Sequence, residues 1–214
     1  MLQHDAPFDT EIAKAALETL MQLSEVAEKV SCLMLLYSNA GAEQQPTKDD
    51  LGLRFTDAFL ETPEPLHSLL ALLSNSPSFY PRFYALQYLS QLLTSRPAVA
   101  QSYIMSSPPP GVDGILSVLD TNAPSQGGQT GGLSGMGGGA SEMLRNEALL
   151  LLPHMLAGNP DLQKIVAFSG AFEKLFEIIG TEGGSDGGIV VQDAMTVVAG
   201  LLRFNVSNQA SDIP

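Results

Sequence analysis

Apolar residues along the chain recur at intervals of three and four, in bursts broken by Gly, Pro, Ser and Asn. That spacing gathers them on one face of a helix. Residues 10–23 carry Ile12, Ala16, Leu20 and Leu23 in this register, with Glu11, Lys14 and Glu18 expected on the wet side. Residues 25–37 continue with Val26, Val30, Leu33, Met34 and Tyr37 as a second helical pattern, and 41–48 form a polar linker broken by Pro46.

From residue 49 the helices come in threes. In the first set Leu51, Leu53, Phe55, Phe59 and Leu60 make a short helix that Thr62 and Pro63 end, and Leu66, Leu69, Leu70, Leu72 and Leu73 make the next. A longer helix then carries Phe79, Phe83, Leu86, Leu89 and Leu93. Pro81 is tolerable in its first turn, where backbone N–H groups have no partner within the helix. The second set has Val99, Tyr103 and Ile104, then Val112, Ile115, Leu116, Val118 and Leu119 beyond a run of three prolines and Gly111. Its long helix, 142–157, holds Met143, Leu144, Ala148, Leu151, Met155 and Leu156, with an internal Pro153 expected to kink it. Before it stands TNAPSQGGQTGGLSGMGGG, residues 121–139, too poor in apolar side chains to offset its ordering entropy and so read as a disordered loop.

The third set spans Leu162, Ile165, Val166 and Phe168, then Phe172, Leu175, Phe176, Ile178 and Ile179, then a turn forced by the glycines of 183–188. Its long helix bears Val190, Ala194, Val197, Val198 and Leu201, widened by Val191, Met195 and Leu202. A helix apolar over most of its circumference must lie between others. The sets also align. Arg96-Pro97, Asn159-Pro160 and Asn205-Val206 follow equivalent long helices, 46 residues separate Asn159 from Asn205, and the 63 from Arg96 to Asn159 shrink to about 46 without the extra loop residues. Such a period predicts an all-α, armadillo/HEAT-like right-handed superhelix of about three three-helix repeats, 49–95, 96–158 and 159–206. Residues 1–48 then supply N-terminal helices and a linker, and 207–214 begin a truncated next repeat.

Composition narrows the function. A formal charge of −13 with ten scattered Lys and Arg argues against nucleic acid and against a basic membrane-binding surface. One cysteine, Cys32, excludes an internal disulfide, no apolar run approaches a bilayer span, and the first residues do not read as a signal peptide. These features predict a soluble, intracellular chain. His4, His67 and His154 have no ligand partners at metal spacing, Gly132–Gly135 lacks the second glycine of a nucleophile elbow, and no Gly-Lys-Ser/Thr follows 183–188. No cofactor, metal or catalytic residue is therefore expected, and Asp186 is a candidate cap for the last long helix.

One feature stands above this background. Tyr80, Tyr84 and Tyr88 recur every four residues on the first long helix. They form either a partner-binding surface in a concave groove or a packing stripe against a neighbouring repeat. Arg145 and Asn146, and Gln192 and Asp193, break the next two long helices at comparable early positions, and are expected to face solvent or that groove.

The strings QKIVAFSGAFEKLFEII, EGGSDGGIVVQDA and NVSNQ resemble the globular head of the general vesicular transport factors, as do DDLGLRFTDAFL and EMLRNEALLLL upstream. The resemblance covers roughly residues 49–209, with no clear counterpart for 25–40. It implies a non-enzymatic scaffold, part of a vesicle-tethering head in ER-to-Golgi and intra-Golgi transport. It further implies binding to a Rab-type small GTPase and SNARE-related proteins, peripheral association with Golgi membranes, and homodimerisation of the full-length protein through a coiled-coil tail. No heptad run is present, so the chain reads as a fragment, a truncated product or a short relative. An armadillo adaptor for a chaperone or ubiquitin-ligase client is the rival reading.

Overall fold

The computed structural model describes residues 8–37, 51–109, 111–120 and 137–211. Among them every regular element is a helix, as the period of three and four dictates. The order is α1 (Phe8–Tyr37), α2 (Leu51–Phe59), α3 (Glu64–Asn75), α4 (Phe79–Ser95), α5 (Pro97–Met105), α6 (Gly111–Leu116) with a 3₁₀ turn at Ser117–Leu119, α7 (Gly137–Leu156), α8 (Pro160–Phe168), α9 (Ala171–Thr181), α10 (Ile189–Leu202) and α11 (Val206–Ser211). The architecture is all-α and armadillo-like.

The long helices α1, α4, α7 and α10 lie side by side, each packed on the next. The shorter helices back them, with α3 against α4, α5 and α6, and α9 against α10. One core runs through the stack. Leu66, Leu70, Leu86, Leu89, Leu92, Ile104, Ile115, Leu151, Leu152, Met155, Leu162, Leu175, Ala194, Val197 and Leu201 are all buried in it.

Where apolar and polar periodicity disagree with the final packing, the neighbouring helix decides. The pattern divided the N-terminal region into two helices, whereas Phe8–Tyr37 forms one. Among its described side chains Leu17 is buried, backed by half-buried Leu20 and Met21, while Ile12 and Leu23 are exposed. Lys14 and Glu18, expected in water, instead meet tyrosines of α4. On α2, Leu53 and Phe55 are exposed, whereas Gly52 and Thr56 are buried, as is Leu60 just beyond its end. Gly52 and Thr56, four residues apart, share one face of that helix, and α2 packs against α1.

The remaining breaks follow local chemistry. Pro97 and Pro160 open α5 and α8, where a missing N–H costs nothing. Helix α7 continues through Pro153 and begins at Gly137, so the last three residues of the Gly-rich stretch are helical; 121–136 lie outside the described residues, as does the linker 41–48. In the final turn Gly183 and Gly184 take φ of +105° and +59°, and a Cβ on Gly187 would collide with the Val191 side chain. Asp186 does not cap α10: the N-cap is Gly188, and Asp186 sits in the preceding 3₁₀ turn.

Candidate partner-binding face

The three tyrosines of α4 point at α1, and the two helices run parallel. Thr10 Oγ1 lies 3.3 Å from Ser78 Oγ. Further along, Lys14 Nζ sits 4.6 Å above the Tyr80 ring, an arrangement in which the ammonium meets the negative face of the π system. Tyr84 donates to the Glu18 carboxylate; that bond, with burial and the carboxylate's charge, pushes the phenol pKa upward. Tyr88 is completely buried, edge-on to Phe59 at 5.0 Å and 77°. Burial raises its pKa, Ser24 pulling the other way, and its buried hydroxyl is left without a partner of good hydrogen-bond geometry.

The stripe is therefore in large part a seam between helices. Tyr88 is core and unavailable to a partner, Tyr84 is half-covered, and Tyr80 keeps an open edge. Helix α1 stands where the long helix of a preceding unit would stand, and no periodicity within residues 79–95 reveals that cover.

Arg145 also departs from the expected open position. It is buried, and its Nη2 donates to Glu182 Oε1 at 2.6 Å, tying α7 to the end of α9. Gln192 is exposed, whereas Asp193 and Asn146 are half-buried, with the Asn146 side-chain oxygen buried and without a partner. The next residue along, Glu147, is half-buried beside Gln87 of α4; burial raises its carboxyl pKa, a bond from Gln87 opposing the rise.

A second constellation escaped the sequence reading. A helix end leaves its last carbonyls without partners. Here side-chain amides take them. Gln101 Nε2 donates to Met155 O at 3.0 Å and Ala157 O at 2.8 Å, and Gln163 Nε2 reaches Leu156 O. Asn208 Nδ2 donates to Leu201 O at 2.8 Å and Gln209 Nε2 to Leu202 O at 2.7 Å. Asn159 caps α8 by accepting the Leu162 N–H, and its amide donates to Gln101 Oε1. Asn205 repeats that relation, donating to Gln163 Oε1 and Pro160 O. Arg96, at the equivalent junction, makes a bidentate pair with Asp57, at 2.5 and 2.9 Å. The recurrence of Asn at 159 and 205 was the available signal, but only the packed helices show which carbonyls the amides meet.

The histidines are structural or peripheral: His67 Nε2 donates to Tyr103 O at 2.9 Å, His154 is exposed, and His4 lies outside the described residues. The Cys32 side chain also lies outside them. Among the described residues no group of His, Cys, Asp and Glu could hold a metal ion, and no helix is long and apolar enough to cross a membrane.

No family model matches the chain. Individual proteins do. It is 35% identical over 205 residues to the human general vesicular transport factor p115, covering 94% of this chain and 18% of that protein. It is 35% identical to golgin candidate 6 of Arabidopsis thaliana over 87% of this chain and 17% of that one. The Saccharomyces cerevisiae intracellular protein transport protein USO1 is 31% identical over 78% of this chain and 8% of its own length. A crystal structure of Uso1 superposes with a TM-score of 0.68 at 30% identity, covering 92% of this chain and 28% of that one. The chain thus spans about a fifth of the length of the curated p115 relatives it matches.

Proposed function

Because the chain belongs to the general vesicular transport factor family, we propose that it serves as a protein-binding part of a vesicle-tethering head, acting in ER-to-Golgi and intra-Golgi transport without catalysis of its own. The carrying observation is identity of 35% over nearly the whole chain with a vesicular transport factor. The architecture suits the role. Parallel long helices stacked side by side present one continuous surface, and shared core residues hold the stack rigid enough to keep that surface in shape.

In this reading the partners are a Rab-type small GTPase and SNARE-related proteins, met while the protein is peripherally associated with Golgi membranes and transport vesicles, with dimerisation supplied by the full-length protein. The long-helix surface around Tyr80, Asn146, Gln192 and Asp193 is the place of contact. Capture of purified Rab proteins on the immobilised chain tests it. Retention of a GTP-loaded Rab over its GDP-loaded form is expected, and equal or absent retention across a Rab panel would overturn the GTPase reading. Selective retention of a chaperone from cytosol would point to the adaptor class.

A further inference from the structure

The offsets that align the three units also align the surface of their long helices. Tyr80, Met143 and Ile189 occupy equivalent positions on α4, α7 and α10, and remain 49%, 50% and 67% exposed. Four residues on, the equivalent positions are Tyr84, Glu147 and Asp193, all half-buried, with Glu18 of α1 bonded to Tyr84. Gln87 of α4 bonds Glu147 of α7, and a Cβ at Gly200 of α10 would stand 3.7 Å from the Leu156 side chain, so neighbouring long helices run parallel within two or three residues of this register. The result is two adjacent rows crossing the helices, one apolar and open, one carrying carboxylates. Leu150, about half exposed, lies three residues beyond Glu147 on α7 and adds apolar surface there. Among the described residues no ion pair joins Glu18, Glu147 or Asp193 to a cation, and Lys14 is held over the Tyr80 ring.

We propose that this face docks an extended polypeptide segment of a partner protein, with apolar side chains at every third position and Lys or Arg between them. The proposal rests on reading the chain as a binding scaffold and specifies the chemistry of what it binds. Neighbouring helix axes lie about 10 Å apart. One turn of an extended polyproline II segment, three residues at about 3.1 Å each, covers roughly the same distance and returns every third side chain to one face. A segment of about seven residues laid across the helices would therefore set one apolar side chain against each of Tyr80, Met143 and Ile189. Its intervening cations would reach the carboxylate row, about 6 Å away along the helix axes. Charge complementarity selects this occupant: the whole chain carries −13, and the row beside the apolar side chains is acidic. Buried apolar side chains supply the affinity, and the carboxylates reject acidic competitors.

The probe is a fluorescein-labelled peptide of about ten residues with Leu at every third position and Lys between, compared with its Glu counterpart by fluorescence anisotropy on the intact chain. The Lys peptide should bind and the Glu peptide should not. Met143→Ser with Ile189→Ser, and separately Glu147→Gln with Asp193→Asn, should each weaken binding roughly tenfold without lowering the thermal melt. Glu61→Gln with Glu173→Gln, the same charge change off the face, should bind like the parent. Equal weakening by that off-face pair, parental affinity of the two face variants, or no binding of the Lys peptide would each overturn the proposal. Rab capture is read on the same proteins. Loss of Rab capture with peptide binding intact removes the GTPase reading alone, and the reverse removes the docking proposal alone.

Discussion

Replacing Gln101 by Ala tests how the stack is joined. Gln101 is 6% exposed and its side chain holds three helices: it donates to Met155 O and Ala157 O at the end of α7 and accepts from Asn159 at the start of α8. Each net hydrogen bond between uncharged groups is worth about 0.5–1.5 kcal/mol, so the two short bonds account for about 1–3. The 3.4 Å contact with Asn159 adds little. Met155 is fully buried, so its carbonyl would be left without a replacement from solvent, a further cost of about 1–3 kcal/mol. Allowing for partial relaxation, the expected loss is ~2–4 kcal/mol. Urea unfolding followed by circular dichroism measures it, with the slope against denaturant checked for loss of cooperativity between units. Gln101→Met keeps the length and apolar contacts but not the donors, and should lose most of the same free energy. A loss below about 1 kcal/mol for Gln101→Ala, or near-parental stability of Gln101→Met, would show that water or backbone adjustment satisfies the carbonyls and that the amide does not join the units.

Other outcomes follow from the same packing. Tyr84→Ala with Tyr88→Ala should destabilise the fold by ~3–5 kcal/mol and free α1 to exchange its amides, since a fully buried aromatic is lost; unchanged melting with weakened partner binding would contradict the seam. Val198→Asp places a carboxylate at a position 7% exposed and should unfold at least α8–α11, read as lost helicity and lost cooperativity. The Arg96 bond holds the Asp57 carboxyl below its ordinary value, so its stabilisation is present above the unfolded pKa near 4 and is lost as pH falls through the lower folded value. The pair is partly exposed, so Asp57→Asn should cost no more than about 1 kcal/mol at neutral pH, and less below pH ~4. Glu147 has the opposite sign: burial raises its pKa, so its charged form opposes folding at neutral pH. Glu147→Gln should match or exceed the parent there, the advantage fading as the parent protonates toward pH ~4.

The helices of this protein were legible in its sequence because their causes are local. Apolar spacing of three and four, prolines at first turns, and glycines at 183 and 184 act within a few residues of themselves, and the offsets of 63 and 46 made the repetition visible. What each exposed or buried position would meet was not local. Tyr84 and Tyr88 look like a free stripe along 79–95, and only α1, some sixty residues earlier in the chain, turns them into a seam. Arg145 reads as a polar break in an apolar helix until α9 brings Glu182 beside it. Gln101 and Gln163 carry no pattern of their own, because the carbonyls they cap belong to another helix, 54 residues later for Gln101 and 7 earlier for Gln163. Periodicity assigns a residue to a face of its helix. Which neighbour covers that face is set by the stacking of distant segments, and that stacking decided the burial, the ion pairs and the surface left for a partner.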